Sequence, residues 1–387
     1  MAAAATSPSE GALRAPSPLG REVPPWQGGA MTHEGPLSGI RILDLSRLLP
    51  GPYCTQLLAD LGADVVKVED PVGGDYLRAM PPLLDDGTSA LFHAINRGKR
   101  SITIDLRRDD GRERFLRLCA DADVVVESFR PGVLAKLGLP PDQLVARFAR
   151  LIVCSISGYG QTGPLRDRAG HDVNFVARAG ALGMMAAPAL LPVQVADLAG
   201  GAWPAAMQIC AALVGRTRTG RGRTIDVSMK DGVFGLLAMS LARTLVDGTE
   251  TIASGGDLLV GAVPCYGVYP TADGFFSVGA LEPKFWSALC AALGREDLLT
   301  AAFDADTRAA LAATFATKTT AEWTKVLQAV DACCEPVLSP AQAMAEGRRI
   351  AVDLDGRDVS FADPGLDTAT PRTARAPRLG EHDDEFP

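Results

Sequence analysis

From residue 40 onward, short uninterrupted apolar runs alternate with longer segments whose apolar residues recur every three to four positions. Residues 40–45 (Ile-Arg-Ile-Leu-Asp-Leu) predict a strand, Gly51-Pro52 opens an amphipathic helix over 53–60, and residues 64–69 predict a second strand after Gly62. A strand–helix–strand unit of about thirty residues is the building block of a parallel sheet. The pattern recurs, with strands predicted over 101–106, 123–127 and 151–156 and helices over 111–119 and 143–150. The run at 151–156 is almost wholly apolar, as in a strand covered on both faces. The N-terminal half therefore reads as a doubly wound α/β domain.

Beyond Gly158 the texture changes. Residues 197–214 are small and apolar and predict an Ala/Gly-rich helix, closed by the basic run 216–223. A strand over 224–229 and a buried helix over 232–245 follow. From Gly255 to about Val330, Gly-rich turns separate short strands (266–269, 275–278) from helices near 283–293 and 320–330, the pattern of a smaller α+β domain. After Ala351 the chain is polar and Pro-rich, which suggests a surface arm. Residues 1–35 lack apolar periodicity and read as a disordered leader, with Met31 as an alternative start.

Composition narrows the function classes. The 387 residues are 47% apolar and 22% charged, with net charge −8 and only 6% aromatics. An acidic chain with few rings argues against nucleic-acid or anionic-membrane surfaces. No apolar stretch approaches the ~18 residues of a membrane span. The eight cysteines form no CxxC pair and lie mostly within apolar runs, the usage of buried reduced thiols, and no metal-ligand spacing exists. A cytoplasmic location is the expectation.

Few residues suit acid/base chemistry. Of four histidines, His33 falls in the leader, His382 in the tail and His93 on a helix. Only His171, in Gly170-His171-Asp172, sits in a loop between predicted elements, where it can serve as a cap or as a base. Asp197 heads the long apolar helix, as an N-cap or as a functional carboxylate beside N–H groups able to hold an oxyanion. Glu282 precedes a helix-initiating proline. Arg97, Lys99 and Arg100, with Arg107 and Arg108 nearby, could hold a phosphate or form a solvated face. Gly73-Gly74-Asp75 is no dinucleotide fingerprint.

The ordered motifs resemble the class III CoA-transferase superfamily, and within it the alpha-methylacyl-CoA racemases. They include Pro50-Gly51-Pro52-Tyr53-Cys54, Leu58 to Glu69, Arg97-Gly98-Lys99-Arg100-Ser101, Phe129-Arg130-Pro131-Gly132-Val133, Ser157 to Pro164, and Arg218-Thr219-Gly220-Arg221-Gly222. The resemblance spans roughly residues 36–345. It implies a Rossmann-like large domain with a smaller α+β domain, in an interlocked homodimer whose site lies between the large domain of one chain and the small domain of the other. The implied division is a large domain over 36–225, a linker helix and small domain over 226–335, and a segment over 336–387 returning to the large domain.

In activity, the resemblance implies inversion of the α-carbon of 2-methylacyl-CoA thioesters. His171 and Asp197 would be the acid/base pair and Glu282 would orient His171. CoA would be held by Arg97, Lys99, Arg100, Asp105, Leu106 and Arg107, and by Gly170, Asp172, Asn174 and Phe175, with the acyl chain along Met184-Met185. CoA is then part of the substrate, and neither a separate cofactor nor a metal is implied. The superfamily's transferase branch would use Asp197 as a nucleophile that passes CoA to a free carboxylic acid; a non-catalytic CoA-binding relative is the third reading. Two positions depart from the racemase pattern: Asp70 stands where an arginine precedes the proline, and Val193 where an asparagine lies four residues before the aspartate.

Overall fold

The predicted β–α–β units close into one six-stranded parallel sheet: β1 (Arg41–Asp44), β2 (Asp64–Glu69), β3 (Arg100–Thr103), β4 (Val124–Glu127), β5 (Ile152–Ser157) and β6 (Thr224–Ser228). The computed structural model describes residues 35–85, 87–243, 246, 255–354, 356–367 and 373–386. Almost the whole expected leader, and the last two residues of the helix expected over 232–245, lie outside the described residues.

The strand order is β3-β2-β1-β4-β5-β6, and every pairing within it is parallel. The order reverses between β1 and β4, so a crevice opens there at the carboxyl ends of the strands, where open α/β sheets bind ligands. Because successive side chains point to opposite faces, Ile42, Val124 and Ile152 enter one apolar core and Leu43, Val125 and Val153 the other. The first core lies under the helices Pro50–Asp60, Asp172–Ala179, Trp203–Thr219 and Met229–Leu236. The second lies under Asp109–Asp121 and Pro141–Arg147. The fold is thus doubly wound and Rossmann-like.

A third core belongs to a separate three-stranded antiparallel sheet, β7 (Tyr266–Pro270), β8 (Phe275–Gly279) and β9 (Cys334–Pro336). Trp286, Phe315 and Trp323 fill it, with stacked and tilted ring contacts. The polar tail is more ordered than its composition suggests. It forms a hairpin, β10 (Arg349–Leu354) with β11 (Arg357–Ala362), and then returns to the large sheet. There His382 N–H donates to the Ser101 carbonyl at 2.9 Å and Thr103 N–H to Asp383 at 2.7 Å. These bonds satisfy the outer edge of β3, which would otherwise present an open template.

The helix expected from residue 197 begins as a π-helical run, Ala196–Ala202, and continues as Trp203–Thr219. Pro204 explains the widening, since it has no N–H to donate and its ring crowds the preceding turn. The combined run of 24 residues is long and apolar enough by composition to cross a bilayer, contrary to the expectation of no such segment. Its inner face is instead built into the first core through Ala205, Ile209 and Leu213.

Candidate active site

His171 occupies the N-cap of helix Asp172–Ala179, extended at φ −121°, with an exposed side chain. Its backbone N–H donates to Asn174 Oδ1 at 3.0 Å, which fixes the start of the helix. The helix is anchored by Phe175, whose ring meets Tyr159 edge-on at 5.1 Å and lies over Gly170. A Cβ at Gly170 would stand 2.7 Å from that ring, so glycine before His171 lets the loop lie flat on Phe175. The N–H groups of Asp172 and Val173, in the first turn, have no acceptor among the described residues.

Asp197 lies beside this helix, in the first turn of the π-helical run, and is half-buried. The turn packs closely on helix Met229–Leu236 because residue 200 is glycine: a Cβ there would come to 2.5 Å from the Met229 carbonyl oxygen. Asp172 Oδ1 accepts the N–H groups of Ala196 at 2.7 Å and Asp197 at 2.9 Å. Burial, reinforced by the negative charge of Asp172, pushes the Asp197 carboxyl up to about 7. A carboxyl poised there can both give and take a proton near neutral pH.

Glu282 is exposed at the N-cap of helix Pro283–Leu293, and its side chain makes no capping bond. Within one chain no hydrogen bond or ion pair joins it to His171 among the described residues. The remaining described histidines are engaged elsewhere: His93 Nδ1 accepts the Ala376 N–H at 3.3 Å, and His382 Nδ1 the Ser101 N–H at 3.2 Å.

The expected CoA contacts divide sharply by burial. Arg97 is buried in an ion pair with Asp60. Lys99 is enclosed by Asp44 at 3.2 Å, Thr55 at 2.8 Å, Asn96 at 2.9 Å and the Pro52 carbonyl at 2.9 Å. Burial lowers this ammonium to about 8 despite its carboxylate neighbour. Arg100 pairs with Asp64 and lies over the Phe386 ring. Leu106 and Phe175 are core residues. These side chains hold the fold, because the burial that makes them apolar neighbours also obliges each charge to be paired. Arg107 and Arg108 of the basic set are exposed, Arg107 with Asp105 at 2.7 Å and Asp70 at 3.3 Å and Arg108 with Asp110 at 3.0 Å. The departure at Asp70 thus supplies a partner for Arg107.

Two further features at the switch point were not singled out from sequence. Leu48, just beyond β1, adopts φ 63°, a conformation costly for a branched side chain. It is held there by its N–H bond to Asp75 at 3.0 Å, and the neighbouring Arg47 N–H donates to Ser128 at 3.1 Å. The Arg47 guanidinium lies 5.3 Å from the Tyr76 ring and 5.8 Å from the Phe129 ring, with no ion-pair partner among the described residues. Its position immediately after the first strand is the signal by which sequence could have flagged it. On β4, buried Glu127 is pushed up to about 7 by desolvation, against hydrogen bonds from Ser155 and the Phe129 N–H.

Set against known proteins, this architecture and its motifs match the pattern of CoA-transferase family III over residues 37–383. The chain belongs to CoA-transferase family III. Alpha-methylacyl-CoA racemase of Mus musculus is 36% identical over 365 residues, covering 89% of this chain and 91% of the relative. Succinate–glutarate CoA-transferase of Agrobacterium fabrum is 41% identical over 269 residues, covering 67% of this chain and 66% of the relative. Among solved structures, Rv3272 of Mycobacterium tuberculosis has TM-score 0.77 at 32% identity, covering 92% of this chain and all of that one. A CAIB/BAIF family protein of Brucella suis has the same TM-score and identity, covering 90% of this chain and 98% of its own. Racemases and transferases both stand among these relatives, and the chain is an enzyme of their family.

Proposed function

We propose that this enzyme inverts the α-carbon of 2-methylacyl-CoA thioesters by two-base proton transfer. The observation that carries the reading is a carboxyl held near neutrality, Asp197, whose backbone N–H is bound by Asp172, the residue next to His171. One group takes the α-proton, the C–H electron pair moves onto the thioester oxygen as an enolate, and the other group protonates the opposite face. The reverse passage exchanges their roles. The free N–H groups of Asp172 and Val173, at the positive end of their helix, are suited to the developing oxyanion. CoA phosphates would meet Arg47 and Arg107, two cations outside buried ion pairs. The acyl group would lie along Met184-Met185, where the Gly255 N–H donates to the Met184 carbonyl at 2.8 Å and brings the Gly255–Gly261 segment alongside.

In this reading the working unit is a homodimer, with Glu282 of a second copy orienting His171. Two observations support it. The Glu282 side chain makes no capping bond to its own helix, and the helices Trp203–Thr219 and Met229–Leu236 leave Met207, Val214, Phe234 and Leu236 exposed, an apolar face of the kind that associates. The proposed location is the cytoplasm.

Incubation of a 2-methylacyl-CoA with the enzyme in D₂O is expected to exchange the α-hydrogen. No exchange at high enzyme concentration overturns the proposal. The 41% identity to a CoA-transferase favours one alternative, in which ionised Asp197 attacks the thioester carbonyl, the C–S bond breaks to release CoA thiolate, and an acyl anhydride with Asp197 forms. Hydroxylamine trapping of Asp197 during turnover, with full transfer activity in His171→Ala, would establish it.

A further inference from the structure

The first residue of the His171 helix does more than begin it. An acidic residue in a first turn ordinarily serves its own helix terminus. Asp172 instead reaches across to another element, and one of its oxygens accepts two N–H groups, from Ala196 and Asp197. Both donors open the π-helical run, where no intrahelical acceptor is available to them. The residue four positions before Asp197 is Val193, exposed and without a polar atom to offer. One carboxylate therefore links the peptide after His171 to the peptide of Asp197, across 25 residues of sequence.

We propose that Asp172 is a positioning residue that fastens the Asp197 turn to the His171 peptide and acts on Asp197 as a fixed negative neighbour. This deepens the acid/base reading above and rests on it. Burial is the larger cause of the raised Asp197 carboxyl and Asp172 the second. Charged groups on the other elements packed around the turn are engaged elsewhere. Asp60 is bound to Arg97, Arg216 to Asp123 and Lys230 to Asp231, while Asp226 accepts the Gln161 N–H. Arg178, at the far end of the His171 helix, is exposed. Asp172 thus fastens the Asp197 turn to the His171 peptide and adds to the proton affinity that burial gives Asp197.

Asp172→Asn separates the two roles, because its amide oxygen can accept the same two N–H bonds while the charge is lost. The Asp197 carboxyl carbon is to be titrated by ¹³C NMR in the full-length unliganded protein, with its signal assigned by its loss in Asp197→Asn. The midpoint is expected to fall by about one pH unit in Asp172→Asn, and the acid/base limb of α-proton exchange to move with it. A midpoint unmoved in a folded Asp172→Asn overturns the proposal. If that variant does not fold, Asp172→Ser, which also removes the charge, is read the same way. The titration needs no turnover, so a wild-type enzyme without exchange would defeat the racemase reading while leaving the proposed action on Asp197 separately decided.

Discussion

Two regions along the sheet use the same residue types to opposite ends. At β1–β3, Asp44 at the end of its strand meets Lys99 at 3.2 Å and Lys67 at 4.0 Å, Lys67 meets Asp75 at 3.0 Å, and Arg97 meets Asp60. All are buried, and every charge is opposed. Burial alone would raise Asp44, but the two ammonium groups and the Ser46 and Thr55 hydroxyls outweigh it and hold the carboxyl at about 2. Around the end of β5, His171 is exposed, and half-buried Asp197 has a negative neighbour in place of a positive one. A charged residue in a sequence is therefore no sign of a binding site. The sign is a charge that the fold brings to a crevice and leaves without an opposing partner.

The largest expected effect belongs to the open region. His171→Ala should lower α-proton exchange by about 10²–10⁴-fold with an unchanged melting temperature; retained exchange would mean that another base acts. The paired region should answer the other way. Lys99→Met leaves Asp44 with a missing partner and is expected to cost about 3–5 kcal/mol in denaturant unfolding, and a variant of wild-type stability would show the network to be dispensable.

Glu127, on β4 between the two regions, gives an intermediate effect through pH. Its folded value of about 7 lies above the ordinary 4.5, so its contribution to stability is full below about 4.5 and is lost as pH rises through 7. Glu127→Gln should raise the melting temperature at pH 8 relative to wild type and leave little difference at pH 5. Asp44 has the opposite sign: its contribution is present above the ordinary 3.8 and is lost as pH falls toward 2. The smallest effect on stability is expected at Arg107, whose exposed pairs are screened by solvent. Arg107→Ala should change KM for the CoA thioester several-fold and the melting temperature hardly at all. An unchanged KM would remove Arg107 from the CoA path.

Much of the fold was legible because the large sheet is local in sequence. Strands 64–69 and 151–156 and the helices between them carry periodicity that neighbouring residues alone determine, and the observed bounds differ mainly at the ends. The π-helical start at Ala196 was not anticipated, although Pro204 carries its cause. The candidate site was legible in part. Scarcity marked His171, and the family motifs marked Asp197 and Glu282. The burial of the basic cluster was not legible because residues 97–100 look solvated in a linear chain, whereas Asp60, Asp44 and Asp64, which neutralise them, lie 36 or more positions upstream.

Residue spacing and motif order, then, determined the doubly wound class and the family, and composition the scarcity of histidine. These depend on interactions within a few turns of chain or on which residue types are present at all. Tertiary structure alone decided which charges are buried and which remain free, and that a single oxygen of Asp172 joins the turns of His171 and Asp197. The reason is physical: burial and electrostatic pairing depend on distance in space, and the partners that decide them come from remote parts of the chain.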